Sequence, residues 1–344
     1  MQKLSRRNAV SMIGLSFLGT SCLSFKKEPG EMIERGKMKP AALKKGDLVG
    51  ICAPAGCVSD PGEVREFTDV LKDLGFKVRN GKNVAARYGY FSATDEARAA
   101  EFMELIRDEE VKGIFFVRGG WGCSRILPFI DFDVIRNNPK VIMGFSDITT
   151  LLNAITLKTG LITFHGPNGN ASWNSRTMEY FHKLLFHGES LTFYNRQEDL
   201  RIRTISGGIA EGELVGGNLT VISSLLGSGY LPEWSGKIVF LEDLKEEPYR
   251  IDRMLTQLKM AGVLNGVSGI ILGAFRDCVA EEPDRAFTID EVFDQHFKGL
   301  SKPVYANAQF GHVVNKFVLP VGTQVRINAN KGTIEMLESG VIKS

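Results

Sequence analysis

Apolar positions along this chain follow two alternating periods. "DLVGICAPAG" (47–56) is an unbroken apolar run ending at a Gly/Pro turn, which predicts a buried strand. "PGEVREFTDVLKDLG" (61–75) spaces Val64, Phe67, Val70 and Leu71 along one helical face and stops at Gly75. "FKVRN" reads as a short strand. "TDEARAAEFMELIRD" (94–108) reads as a helix, with Thr94 as cap and Asp95 and Glu96 in its first turn. "VKGIFFVRGG", "PKVIMGFSD" and "LITFHG" are further strands. Between and after them, "ITTLLNAITLKTG" and "SRTMEYFHKLLFHG" are helices ending at Gly160 and Gly188. Strands apolar on both faces, alternating with helices, predict a doubly wound α/β domain with a mainly parallel sheet over 43–190. Function in such sheets sits beyond the carboxyl ends of the strands.

A polar linker, 191–204, includes "NRQEDLRIRT", and the texture then changes. Short strands dominate: "EGELVGG", "GKIVFLED", "SGIILGAF", "PVYANAQF", "TQVRINAN" and "GTIEML". Helical stretches such as "NLTVISSLLGS" and "YRIDRMLTQLKMAG" interrupt them, and 205–344 is predicted to be a smaller, β-rich, barrel-like domain.

The first 22 residues follow neither period. A basic start precedes an apolar run from Ala9 to Gly19 that is short for a membrane span, and small residues follow. This is the anatomy of an export signal; "SRR" points to the twin-arginine route and "LGTSC" to a lipoprotein site acylated at Cys22. Leu18 stands four residues before that cysteine, where the lipoprotein box has three. The expected location is therefore exported, periplasmic or lipid-anchored, with a cytoplasmic protein as the alternative. Residues 23–42, charged and without period, read as a tether.

Composition narrows the function classes. Of 344 residues 43% are hydrophobic and 24% charged, as in ordinary globular proteins. Net charge is +2, and a chain beginning at Cys22 would lose Lys3, Arg6 and Arg7 and fall to −1. Nucleic-acid binding gains no electrostatic support from this. A small-molecule or peptide substrate fits a nearly neutral body better. The five cysteines form no C-x-x-C pair, and no H-x-x-H or H-E-x-x-H occurs, so no metal site is expected.

The stretch "RGGWGCSRIL" (118–127) offers three glycines and a serine where a strand turns into a helix. It lacks the third glycine of a dinucleotide fingerprint and the Gly-Lys-Ser/Thr of a Walker loop. What remains is Ser124 at a helix start, either an N-cap or a nucleophile beside backbone N–H groups. Ser146 in "GFSDIT" is a rival at a second strand-to-helix junction, with Asp147 beside it as a cap. Cys123 is a weaker rival, since thiol chemistry needs a depressed pKa. Among five histidines, His182, His187 and His296 lie on helices, whereas His165 and His312 sit where strands break at glycine. Residue reading alone leaves those two level. Glu242 and Asp243 end an apolar strand and point to opposite faces, so one of them could orient an imidazole.

The ordered set "RGGWGCSR", "PKVIMGFSDIT", "FHGP", "GELVGGNLTVISSLLGS", "IVFLEDLKEEPYRIDRML" and "GHVVNKFVLPVG" resembles the LD-carboxypeptidases. These are the serine peptidases of muramoyltetrapeptides, and the family also contains microcin C immunity peptidases. The resemblance covers nearly everything after residue 43. It implies a cofactor-free serine carboxypeptidase that releases terminal D-alanine from wall tetrapeptides, commonly a homodimer. Its triad falls on Ser124, Glu242 and His312, and backbone N–H groups near Gly120 and Arg125 are the expected oxyanion donors. Ala55 replaces a serine common in the family's first turn, and Trp121 replaces a tyrosine. Two other functions fit the same features. One is hydrolysis of peptide-nucleotide toxins, for which the loop "NASWNSRT" (170–177) could supply an aromatic. The other is a non-catalytic, lipid-anchored muropeptide-binding protein.

Overall fold

The computed structural model describes residues 36–343. The expected export signal, Cys22 and the tether up to residue 35 lie outside the described residues. The rest of the expected tether is packed rather than loose. Met38 bridges Leu161, Ala41 bridges Ile342, and Ala42 is buried.

The first sheet uses β1 (Leu48–Cys52), β2 (Lys77–Asn80), β3 (Val111–Phe116), β4 (Val141–Gly144) and β5 (Thr163–His165). They run parallel in the order β5-β4-β3-β1-β2. Helices α1 (Gly62–Asp73), α2 (Asp95–Arg107), α3 (Cys123–Ile126), α4 (Phe132–Asn137) and α5 (Thr149–Thr159) connect them. The periodicity has its expected result: α1 buries Val64, Phe67, Thr68 and Leu71. The Thr94 side chain accepts a hydrogen bond from the Ala97 N–H at the start of α2. α5 ends on Gly160 at φ +78°, a left-handed position that glycine adopts without Cβ strain. After α6 (Ser175–Phe181) a single wide π turn carries the chain through residue 186.

The second sheet takes β6 (Thr192–Tyr194), β7 (Arg203–Ser206), β8 (Ile209–Asn218), β9 (Ile238–Leu244), β10 (Gly269–Arg276) and β11 (Val304–Ala306). Here β12 (Leu319–Val321) leaves the second lobe and pairs antiparallel with β5, completing the first sheet at its edge. An edge is where Pro320, which has no N–H to give a further neighbour, is tolerated. β13 (Gln324–Asn328) and β14 (Thr333–Met336) then return to the second sheet, ordered β6-β14-β13-β8-β9-β10-β11-β7.

Three sequence expectations change. The sheet is open, with β6 and β7 as its edges, rather than barrel-like. The linker 191–204 contains β6 and the start of β7, because its apolar residues are few but correctly placed for edge strands. The two lobes also exchange chain, since β12 belongs to the first sheet.

The second lobe is itself layered. β8, β9, β10 and β11 are parallel neighbours, covered by α7 (Leu219–Ser224), α8 (Pro248–Met260) and α9 (Ile289–Phe297). Val239, Leu241, Ile270 and Leu272 pack there against Ile251, Leu255 and Phe293. The central pairing is close. Gly216 has φ +140°, and a Cβ there would lie 1.9 Å from the Phe240 carbonyl oxygen. His165, at the end of β5, is fully buried among Phe145, Phe240 and Phe310. Burial lowers its pKa to about 4, so it stays neutral in the working range.

Two outcomes are expected. Gly216→Ala should cost at least about 3 kcal/mol of stability or prevent folding, read by thermal or urea unfolding, because both backbone strain and a clash oppose it. For His165 the unfolded chain, with a pKa near 6.5, takes up the proton before the native one does. Stability is therefore full above about pH 6.5 and falls by up to about 3 kcal/mol as pH drops to about 4. Urea titrations across that window should show the loss, and His165→Phe should flatten it.

Candidate active site

A cavity of about 530 Å³ opens between the carboxyl ends of the first sheet and the second lobe. Arg118, Gly120, Ser146 and Asn168 line it from one side, and Asp243 and His312 from the other. This is where a parallel sheet presents its functional loops.

Ser146 stands on a sharp turn between β4 and α5. Its φ is +64°, one of only four positive values at non-glycine residues among those described. Its neighbours Phe145 and Asp147 are buried while Ser146 itself is partly exposed. The turn is held from both sides. The Asn168 side chain accepts from the Phe145 N–H and donates to the Phe145 carbonyl, each at 3.1 Å. A Cβ on Gly144 would approach Asn168 and Phe116 to 2.8 Å, so the residue two before the serine must be small. A strained strand-turn-helix with a glycine at that place is the logic of a nucleophile elbow. Gly119 lies against it, since a Cβ there would come within 2.8 Å of the Ser146 Cβ. The amide N–H groups of Gly119 and Gly120 have no acceptor among the described residues, and both glycines face the cavity.

His312 and Glu242 are brought together. Nδ1 of His312 lies 2.7 Å from Oε2 of Glu242, whose side chain is fully buried on β9. Gly311 makes this approach possible: at φ +90°, a Cβ on it would sit 2.5 Å from Oε2. Burial by itself would raise the Glu242 pKa, but the His312 hydrogen bond and charge together hold it below the ordinary range. The His312 ring also packs on Phe145, with centroids 4.8 Å apart, which places the imidazole beside the Ser146 turn. No hydrogen bond joins Ser146 to His312 here, a looseness common in catalytic pairs before substrate binds.

Asp243 turns the other way, as strand alternation requires. It accepts hydrogen bonds from Asn218 Nδ2, the Thr220 N–H and the Thr220 hydroxyl, and so caps the start of α7. Burial and the neighbouring Glu242 push its pKa up to about 6.

The structure does not bring Ser124 to this cavity. Ser124 lies within α3, whose N-cap is Gly122, and it is absent from the cavity wall. It is thus neither the N-cap nor placed to meet His312. Arg125 is also misplaced as an oxyanion donor. Its N–H is used by the Gly122 carbonyl, and its guanidinium pairs with Asp95 at the surface. Gly120 does reach the cavity. The loop bearing Ser124 serves instead as support: the Cys123 N–H donates to Asp147 Oδ2 at 2.8 Å, tying α3 to the Ser146 turn. Asp147 is therefore a cap, but for a different helix from its own. Cys123 is buried, and desolvation drives its thiol pKa up, which rules it out as a nucleophile. Cys52, Cys57 and Cys278 are likewise free and buried. His296 pairs with Asp252, away from the cavity. Trp173 packs between Phe67 and Phe181 and donates to the Asn168 carbonyl, so it is not on the cavity wall.

Comparison with known proteins identifies the family. Residues 49–166 match the LD-carboxypeptidase N-terminal domain, and residues 211–327 the LD-carboxypeptidase C-terminal domain. A probable murein peptide carboxypeptidase of Bacillus subtilis is 37% identical over 88% of this chain and 95% of its own. Among solved structures, the microcin C7 self-immunity protein in complex with aspartyl sulfamoyl adenosine superposes with a TM-score of 0.81. It is 29% identical, covering 89% of this chain and 100% of that one. A muramoyltetrapeptide carboxypeptidase from Oxalobacter formigenes gives a TM-score of 0.73 at 29% identity, covering 84% and 97%. The chain belongs to the LD-carboxypeptidase family, whose members are serine-type peptide hydrolases.

Proposed function

We propose that this protein is a serine carboxypeptidase that hydrolyses the L,D amide bond before the terminal D-alanine of wall tetrapeptides. The observation that carries it is a buried Glu242–His312 pair facing a serine held at positive φ on the same cavity. The names of the relatives, murein peptide and muramoyltetrapeptide carboxypeptidases, supply the substrate class.

In this reading the nucleophile is Ser146, replacing Ser124. His312 takes the Ser146 proton as Oγ bonds to the scissile carbonyl carbon, and Glu242 fixes the ring and stabilises the imidazolium. The free N–H groups of Gly119 and Gly120 are placed to hold the oxyanion. The C–N bond then breaks, the leaving amine receives the proton from His312, and water releases the acyl group by the same steps in reverse.

A toxin-nucleotide substrate is less well supported, because Trp173 is spent on internal packing. Export, acylation of Cys22 and homodimerisation belong to the same proposal. They rest on the first 22 residues and on the family, and are read by lipid mass spectrometry of the membrane fraction and by light scattering.

Mass spectrometry of products from purified wall tetrapeptide should show loss of one alanine, and pentapeptide should be left intact. A fluorophosphonate probe should label the wild type and Ser124→Ala but not Ser146→Ala. Ser146→Ala should lose at least about 1,000-fold in kcat, Glu242→Gln about 10,000-fold, and Ser124→Ala less than about 3-fold. Label retained by Ser146→Ala and lost in Ser124→Ala would reverse the assignment.

A further inference from the structure

Lys316 is a buried cation that feels the charge of Glu242 but makes no ion pair with it, since Glu242 is already paired with His312. It follows His312 by four residues on the same loop and lines the cavity, yet only 4% of it is exposed. Its ammonium makes no hydrogen bond and no ion pair among the described residues; it rests 4.3 Å above the Phe145 ring. The loop that carries it is fixed. Asn174 donates to the Val314 carbonyl and to Asn315 Oδ1, and the Lys316 N–H donates to Thr177 Oγ1. The other two cations on the wall are already engaged. Arg118 donates to the Cys57 carbonyl and Ser59. Arg276 is half-exposed, pairs with Asp277 and reaches the His312 carbonyl.

An ammonium taken out of water without a hydrogen-bonded anion is costly, and burial, against the attraction of Glu242, lowers its pKa to about 8. Such a group is kept where a ligand supplies the missing charge. Position identifies that charge. The carboxylate of a terminal residue lies about 4 Å beyond the scissile carbonyl carbon, one peptide unit along the chain. Lys316 sits on the ring of Phe145, the residue adjoining Ser146, and shares the cavity wall with that serine.

We infer that Lys316 binds the free terminal carboxylate of the residue being released, and so restricts the enzyme to chain ends. This rests on the peptidase reading above and adds the residue that makes it an exopeptidase. A second source of carboxylate in a wall peptide is the side chain of a diamino acid, and the test must separate the two.

The experiment uses the full chain and tetrapeptides with lysine at the third position, which carry no side-chain carboxylate, ending in D-alanine or in D-alaninamide. Wild type should prefer the acid by about 30-fold in kcat/KM, the value of one charge-assisted hydrogen bond. Lys316→Met should bring that ratio within about 3-fold of unity, and Lys316→Arg should recover most of it. A ratio unchanged in Lys316→Met overturns the anchor while leaving the peptidase intact. So does a loss seen only with diaminopimelate peptides, which would assign Lys316 to the side-chain carboxylate. If Lys316→Met cleaves neither peptide, protection of Ser146 from the fluorophosphonate is read instead. Preference for D-alanine over D-alaninamide in wild type alone supports the anchor, and the same preference in both proteins overturns it. A wild type that cleaves no tetrapeptide overturns the peptidase reading, and the anchor with it.

Discussion

The site depends on keeping a carboxylate charged where no water reaches it. Glu242 is wholly buried on a central strand, and one of its oxygens, Oε1, has no hydrogen-bond partner. Its charge is supported chiefly by the His312 contact at Oε2. Such a pair is weak as a source of stability, because desolvation offsets most of the attraction, and removing one member leaves an uncompensated charge. Its value is directional: the ring can turn only at the expense of the buried oxygen. Gly311 and the parallel neighbours of β9 exist in the geometry that makes this possible.

The serine side is made rigid by different means. Backbone strain at Ser146 is balanced by hydrogen bonds from Asn168, by the absence of a Cβ at Gly144 and Gly119, and by Asp147 holding α3. Arg98 extends that support, since its buried guanidinium bonds the Gly122 carbonyl and pairs with Asp95. One wall thus uses electrostatics and the other sterics to fix its reactive group.

Much of this was legible in the sequence. Helices announced themselves through a 3.6-residue apolar period and glycine stops, and parallel strands through runs apolar on both faces. Strand alternation showed that Glu242 and Asp243 face opposite ways, and the family resemblance, not the periodicity, picked Glu242. Ser146 was visible but ranked below Ser124, because three glycines around residue 120 drew attention to a turn that does not reach the cavity through its serine. Gly119 and Gly120 let the backbone pass close to Ser146 and Gly56, and Gly122 lets it pass Phe91 and Arg98. The better signal was a glycine two residues before a serine, directly after an apolar strand. The departure of β12 was not legible, because "VLPVG" carries no mark of which sheet it will join. Lys316 was likewise invisible, since only the fold shows that it is buried on the cavity wall without a direct ion pair.

That borrowed strand has a consequence for synthesis. The first sheet lacks its last member until residue 321 has been made, by which time nearly all of the second lobe has also been made. Local pairing cannot finish the nucleophile-bearing half early, and a contact spanning more than 150 residues closes late. A nascent chain released too soon would therefore expose the edge of β5 with His165 on it, and hydrolytic competence would appear only near completion of translation.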